Sequence, residues 1–161
     1  MLALIEKRDN EYVAQFNRLL HYSVEQVWAV LTENEKLTRW MPNLHVEDLR
    51  KGGMIKFDMM DGSGEFIDID ILECQINSVL EFTWGEDRVR FEIHKNPEGC
   101  LFVLKEFIHE INDHTPKDLS GWHIGPTRPK KENCTLRKYF TNNRTILVDL
   151  KNRPVITSFL F

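Results

Sequence analysis

The sequence has few of the features that mark disulfide-rich, secreted or membrane-spanning proteins. Its 161 residues include three cysteines, an odd number without C-x-x-C spacing, which is typical of free thiols in a reducing compartment. No apolar run approaches the roughly 20 residues of a membrane-spanning helix, and residues 1–9 do not have the pattern of a signal peptide. We therefore expect a cytoplasmic protein without a membrane span, in which Cys74 and Cys100 are small core residues.

Motifs for nucleotide binding, nucleophilic hydrolysis and metal binding are also missing. Neither G-x-G-x-x-G nor a phosphate-binding loop nor G-x-S-x-G occurs in the chain. A zinc site needs three or four converging ligands, and the six histidines are scattered, with only His109 and His114 as near as five residues apart. We therefore predict that the protein binds no cofactor and no metal.

Charge is distributed unevenly along the chain. Residues 125–161 carry eight basic and two acidic side chains, which leaves residues 1–124 with 13 basic and 23 acidic ones. Binding to nucleic acid requires a basic face, so the acidic body argues against nucleic acid as the main partner. The basic residues after position 124 are scattered, and we predict no nucleic acid partner for them either.

Up to residue 111 the chain consists of predicted strands with one helical interruption. Glu11–Leu20 is the first predicted strand. Ser23 and Gln26 have the spacing of a capping box at the start of a helix, and Asn34 is predicted to cap a second short helix that Pro42 ends. Such segregation of strands and helices predicts an α+β fold. The remaining predicted strands are residues 44–49, 54–60, 65–75, 79–84, 88–95 and 100–111.

A helix is predicted to follow the last strand and to cover the inner face of the sheet. The stretch Asp118–Ile124 resembles the first turn of such a helix. Gly125–Pro126 and Pro129 follow at once, and each interior proline costs a helix about 3 kcal/mol. We therefore predict one to two helical turns and then an irregular or β-prone segment. The β-prone parts are residues 145–150 and 154–161.

Apolar residues that alternate along the predicted strands are candidates for a ligand pocket. In the strand over residues 65–75, we expect Ile67, Ile69 and Ile71 to face the core and Asp68 and Asp70 to face solvent. A lining rich in aromatic residues and methionine suits flat or flexible apolar ligands, and a solid core without a pocket is the open alternative. The candidate ligand-binding residues are Trp40, Met41, Phe57, Met59, Ile69, Phe82, Trp84, Phe91, Phe102, Leu104 and Trp122.

Glu106 is a candidate for a catalytic residue. Both faces of the last predicted strand are apolar, and Lys105 should reach water, which turns Glu106 inward. Desolvation would raise the pKa of this carboxyl, which could then orient a polar ligand group or act as an acid or base. The open alternative is a glutamate at the strand end that reaches solvent or pairs with an arginine such as Arg90.

Five short segments stand out beside the order of the predicted elements. They are Val27–Thr32, Arg39–Met41, Gly52–Gly53, Leu80–Trp84 and Gly121–His123. Together with that order they resemble the SRPBCC, or START-like, superfamily, and within it the bacterial proteins related to the activator of the heat-shock-protein-90 ATPase. The resemblance covers roughly residues 11–124, and after Ile124 the sequence departs from it, through either a reading-frame change or a divergent tail.

The resemblance implies a helix-grip domain over residues 1–124, followed by an atypical basic tail over residues 125–161. In this fold a curved antiparallel sheet, here of about seven strands, wraps a C-terminal helix, which we expect to be cut short in this chain. It implies non-catalytic binding of a hydrophobic small molecule (a lipid, a polyketide-like or an aromatic compound) in a cavity between sheet and helix. The oligomeric state is open, with a monomer expected.

The same superfamily suggests two alternatives. One is an enzyme of the cyclase or dehydratase type, for which Glu106, His123 and Tyr12 are the candidate acids or bases. The other is a chaperone-associated stress protein. Because the family's chaperone activators carry a separate N-terminal domain that the few residues before Glu11 could not hold, we expect no direct activation of a chaperone.

Overall fold

The computed structural model describes residues 4–111, the helical residues Thr115, Leu119 and Trp122, and the strand residues 147–149 and 155–157. Eight antiparallel strands form one sheet, and two short helices lie between its second and third strands along the chain. The strands are β1 (Leu4–Arg8), β2 (Glu11–Leu20), β3 (Leu44–Asp48), β4 (Met54–Asp58), β5 (Phe66–Gln75), β6 (Val79–Trp84), β7 (Asp87–Asn96) and β8 (Gly99–Ile108). The helices are α1 (Val24–Thr32) and α2 (Asn34–Leu37), and β9 (Leu147–Asp149) pairs with β10 (Val155–Thr157).

This architecture confirms the predicted α+β, helix-grip fold, with all seven predicted strands present and β1 in addition. Among the side chains of the extra strand whose burial is described, residues 5–8, Ile5 is the one buried apolar residue, so the sequence gives little periodic signal. It is held by its pairing with β2 through a tight turn, in which Asp9 takes a positive φ of 44°, a conformation that aspartate tolerates better than most residues.

Strand order explains how the sheet acquires one continuous apolar face. The order is β1-β2-β8-β7-β6-β5-β4-β3, so β3 to β8 pair successively and β2 pairs with β8, from Tyr12 opposite Ile108 to Leu20 opposite Cys100. The register places alternate residues of each strand on the same side, which we call the inner face. Its fully buried members include Ala14, Ile71, Leu80, Phe82, Val89, Cys100, Phe102, Leu104, Glu106 and Ile108.

The two short helices are anchored in different ways. At α1 the predicted capping box is present, because Gln26 N donates to Ser23 Oγ (3.2 Å) and Ser23 N donates to Gln26 Oε1 (2.9 Å). The predicted cap by Asn34 is wrong, since Glu33 occupies the cap position of α2. Asn34 Oδ1 instead accepts from Val46 N (2.7 Å), and Asn34 Nδ2 donates to Val46 O (3.0 Å), so this side chain ties α2 to β3.

The helix after β8 begins before the predicted stretch. Thr115, Leu119 and Trp122 are helical and buried at 3%, 0% and 3% exposure, so the predicted start at Asp118 is too late. Their spacing of i, i+4 and i+7 puts them on one helical face. The prolines that were predicted to end this helix lie outside the described residues, and the two predicted β-prone segments contain β9 and β10.

The turn between β3 and β4 depends on two glycines. Gly52 N donates to Ile71 O (2.8 Å) and Ile71 N donates to Gly53 O (3.0 Å), which joins the turn to β5 next to a register shift in that strand. Gly53 is buried, and a Cβ at this position would overlap the carbonyl oxygen of Asp48 and lie 2.9 Å from that of Arg50. The backbone can make this turn only where the side chain is absent.

Replacing Gly53 by alanine should therefore lower the free energy of unfolding by about 2–3 kcal/mol, because the backbone must move to admit a methyl group. A Gly62→Ala variant is the control, since its Cβ would meet nothing within 4 Å and it should cost only about 1 kcal/mol from its positive φ. Urea unfolding of both variants measures the difference. Equal losses would mean that the turn adapts to the methyl group.

Charged side chains on the outer face join β2, β6, β7 and β8. Glu81 and Glu92 each bind more than one cation, and Arg88 also stacks 3.8 Å from the centroid of the Phe107 ring. The ion pairs are Arg88–Glu11 (2.9 Å), Arg88–Glu81 (3.4 Å), Arg90–Glu81 (2.6 Å), Arg90–Glu92 (2.7 Å) and Lys105–Glu92 (3.0 Å). We call these six charged residues the outer ion-pair network.

Glu92 gives this network a pH dependence. Burial alone would raise the pKa of its carboxyl, but hydrogen bonds from Arg90 and Lys105 outweigh burial and hold the pKa below its ordinary value of 4.5. A lowered folded-state pKa contributes stability above the unfolded-state pKa, and that stability is lost as the pH falls through the folded-state value.

We expect Glu92→Gln to lower the free energy of unfolding by about 1–2 kcal/mol at pH 7. The deficit should shrink as the pH falls below the ordinary glutamate pKa of 4.5 and on through the lowered folded-state pKa, where the wild-type carboxyl also becomes protonated. Urea unfolding at pH 7 and pH 3 gives both values. Glu86→Gln, at an exposed position in the β6–β7 turn, is the control and should change the unfolding free energy little. A deficit that is constant across pH would show that the charge of Glu92 is not its source.

Candidate ligand-binding site

Six of the predicted ligand-binding residues form one connected group of rings on the inner face. Trp84 is one hub, with ring centroids 5.7 Å from Phe57, 6.3 Å from Phe82 and 5.2 Å from Trp122. Most pairs meet edge to face, the arrangement that ring quadrupoles favour. We call the group Phe57, Phe82, Trp84, Phe91, Phe102 and Trp122 the aromatic network.

Phe91 is the second hub, at the buried end of the network. Its ring centroid lies 5.4 Å from Phe82, 5.6 Å from Phe102 and 6.0 Å from Trp122. Strand register brings these residues together. Phe91 pairs with Leu80 of β6 and Leu104 of β8, and Phe82 and Phe102 lie two residues along those strands, at the next position on the inner face. The alternation read from the sequence therefore places one ring after another across β6, β7 and β8.

Burial changes from one end of the aromatic network to the other. Phe82, Phe91, Phe102 and Trp122 are at most 3% exposed, whereas Phe57 and Trp84 are only partly buried. Phe57 is the next-to-last residue of β4 and Trp84 is the last residue of β6, which places both at the end of the sheet where the β4–β5 and β6–β7 hairpins turn. The network thus reaches solvent at this hairpin end.

Ile67 marks the same end. It was predicted to face the core with Ile69 and Ile71, but it is 51% exposed while Ile69 and Ile71 are 5% and 1% exposed. Ile67 pairs with the half-buried Phe57. The alternation is correct, and the exposure of Ile67 goes with its position near the start of β5, at the end of the sheet where Phe57 is also only partly buried. Asp68 and Asp70 are exposed, as predicted.

The other predicted lining residues lie around this network in different environments. Leu104 and Ile69 are buried at 1% and 5% exposure, and Trp40 and Met41 are partly buried against the core. Trp40 Nε1 donates to Val30 O at 3.0 Å, so this indole is tied to α1. Met59 lies just beyond the end of β4 and is 46% exposed, outside the buried part of the network.

Glu106 points inward, as predicted. It is 1% exposed and lies in register between Ala14 of β2 and Val89 of β7, whereas Lys105 binds Glu92 on the outer face. The alternative of a pair with Arg90 is wrong, because Arg90 lies on the outer face and binds Glu81 and Glu92. A carboxylate therefore stands on the same face as the aromatic network.

Arg18 is an inner-face residue that the sequence analysis did not identify. It pairs with Phe102 in register, and its Nη2 donates to the backbone oxygen of Trp122 at 3.4 Å. This bond connects β2 to the helix after β8. The signal that could have found it is the parity of β2, in which residues 14, 16, 18 and 20 share the inner face. Thr115 and Leu119 were also missed, although their spacing to Trp122 is helical.

Other candidate groups do not assemble within the described residues. No group of three or more potential metal ligands occurs in this part of the chain. Cys100 is buried and Cys74 is partly buried, both as free thiols, and burial raises the pKa of each. His123 and Cys134 lie outside the described residues. None of the described helices is long and apolar enough to span a membrane.

A family model matches the segment that contains this site. Residues 21–124 match the family described as "Activator of Hsp90 ATPase homolog 1-like protein". The matched range contains α1, α2, strands β3 to β8 and every residue of the aromatic network. No curated protein is significantly similar to the chain.

Solved structures of other proteins share the fold. A conserved protein of unknown function from Enterococcus faecalis is 22% identical, with a TM-score of 0.68 over 76% of this chain and 71% of that one. CalU16 from Micromonospora echinospora is 19% identical, with a TM-score of 0.62 over 76% and 78%. DynU16, a protein of the dynemicin biosynthetic locus, is 18% identical, with a TM-score of 0.57 over 72% of this chain and 44% of its own.

Proposed function

The chain belongs to the family of activator of Hsp90 ATPase homolog 1-like proteins, and from that premise we propose that it binds a hydrophobic small molecule against the inner face of its sheet without transforming it. The observation that carries this proposal is the aromatic network, buried at Phe91 and partly exposed at Phe57 and Trp84. A ligand that enters at the hairpin end would extend this row of rings and remove their exposed edges from water.

The kind of ligand follows from the lining. Flat rings pack well against edge-to-face aromatic side chains, which favours an aromatic or polyketide-like compound over a saturated chain. The position of DynU16 in the dynemicin biosynthetic locus supports a role close to small-molecule metabolism. Lipids are the competing class, and a binding screen should include both.

The indole N–H signals of the four tryptophans give a direct test. In a heteronuclear NMR titration with flavonoids and fatty acids, a ligand of the proposed site should shift the signals of Trp84 and Trp122. The signal of Trp28 should stay in place, because this residue packs in α1 outside the network. Spectra that stay unchanged across both compound classes would contradict the proposal.

An enzymatic function is the second candidate, and the buried carboxylate of Glu106 favours it. A dehydratase or cyclase needs an acid or base on the wall of its pocket, and Glu106 is a buried carboxyl side chain on the inner face that could serve as one. Tyr12 is partly buried at the neighbouring end of β2. The test is the dehydration of a β-hydroxy aryl ketone to the enone, with release of water. Turnover by the wild type that is lost in a folded Glu106→Gln variant would establish this function. If the wild type shows no turnover, binding remains the only proposed function.

A further inference from the structure

One polar atom in the aromatic network lacks a hydrogen bond. Trp122 is 3% exposed, and its Nε1 is buried without a hydrogen-bond partner among residues 4–111, Thr115 and Leu119. Native proteins rarely bury such a donor unsatisfied, because it loses its bond to water and gains nothing in return. Trp40 shows the usual outcome, since its Nε1 donates to Val30 O at 3.0 Å.

The position of this donor is fixed by its neighbours. The Trp122 ring lies 5.2 Å from Trp84 and 6.0 Å from Phe91, between the partly exposed edge of the network and its buried end. Arg18 Nη2 donates to the Trp122 backbone oxygen at 3.4 Å and so holds this residue against β2. The N–H group is therefore held in place before any ligand arrives, which favours selective binding.

We propose that Trp122 Nε1–H is the donor that selects the ligand, and that the preferred ligands are aromatic or conjugated compounds with a carbonyl or similar oxygen acceptor. This inference rests on the proposed binding function and adds a requirement to it. An oxygen acceptor gives the buried N–H its missing partner, whereas a hydrocarbon of the same shape leaves it unsatisfied. A site with a positioned donor discriminates against an analogue that lacks the matching acceptor.

A pair of ligands that differ at one carbon tests this requirement. 9-Fluorenone and fluorene have the same tricyclic shape, with a carbonyl in the first where the second has a methylene. We expect the wild-type protein to bind 9-fluorenone about tenfold more tightly than fluorene. In Trp122→Phe, which keeps a ring and removes the donor, this ratio should fall to about twofold or less. Trp28→Phe is the matched control and should retain the tenfold ratio.

An NMR measurement supports the test without any variant. The Trp122 indole proton should move downfield with 9-fluorenone, as expected for a new hydrogen bond, and should not do so with fluorene. Equal affinities in the wild type, or a ratio retained in folded Trp122→Phe, would overturn the role of Trp122 and leave the binding function standing. If neither compound binds while other aromatic ligands shift Trp84, the acceptor requirement is wrong. If no ligand of any class binds, the proposed function fails and this inference fails with it.

Discussion

Replacing Phe91 by alanine should lower the free energy of unfolding by about 3–5 kcal/mol, the usual cost of deleting a fully buried phenylalanine. Phe91 is 3% exposed, and its ring contacts three other members of the aromatic network, Phe82, Phe102 and Trp122. The deletion removes the transfer energy of the ring and leaves a cavity. Paired strands on both sides hold the backbone of β7, so the neighbouring side chains can collapse into that cavity only in part.

Phe66→Ala is the matched control for this variant, because Phe66 lies on β5 but is 53% exposed. It should change the unfolding free energy by no more than about 0.5 kcal/mol. Equilibrium unfolding in urea measures both variants under the same conditions. If the two variants lost similar amounts of stability, Phe91 would not be the packing centre that its ring contacts indicate.

Replacing Trp84 by alanine should weaken the binding of 9-fluorenone about 30-fold or more, as expected for a residue worth at least 2 kcal/mol in an interface. Trp84 is the partly exposed hub of the network, so part of its ring is accessible to a ligand. For the same reason its removal should cost less stability than the removal of Phe91. The two hubs therefore separate the two roles of the network, since Phe91 acts mainly on folding and Trp84 mainly on binding.

Calorimetric titration of the wild type, Trp84→Ala and Trp28→Phe measures this effect. Trp28 lies in α1, is 7% exposed and belongs to none of the ring contacts of the network, so Trp28→Phe should bind like the wild type. Wild-type affinity in folded Trp84→Ala would place the ligand away from the hairpin end. Equal losses in both variants would point instead to a general loosening of the fold.

The sequence predicted well which side chains face inward where apolar and polar residues alternate strictly along a strand. The alternation in β5 to β8 assigns residues such as Ile69, Phe82 and Phe91 to the inner face, and the register confirms each assignment. The orientation of Glu106 could be predicted because only one of two neighbouring charged residues, Glu106 and Lys105, can point inward. Period-2 patterns carry this information because the pleat alternates side chains between the two faces.

Contacts between distant segments could not be predicted in the same way. Asparagine is a residue type that often caps helices, but the side-chain amide of Asn34 forms hydrogen bonds with the backbone of Val46 in β3. Arg18 is a charged residue that the inner face accepts because the Trp122 carbonyl lies opposite it. The partial exposure of Ile67 depends on how far the cover of the sheet extends. In each case the deciding partner is remote in sequence, and no local pattern identifies it.

The pairing of β2 with β8 sets the order in which the protein can assemble during translation. Residues 12–20 leave the ribosome before their partners, residues 100–108. At roughly 5–20 residues per second the early strand must wait several seconds for its neighbour. During that interval the backbone edge of β2 that pairs with β8 is open to other chains, and the inner-face side chains of Phe16 and Leu20 lack their neighbours Leu104 and Cys100. The successive hairpins of β3 to β8 join neighbouring segments, whereas β2 and β8 are far apart in the chain. Such non-local pairing is intrinsically slow and leaves a strand edge open to aggregation until it forms.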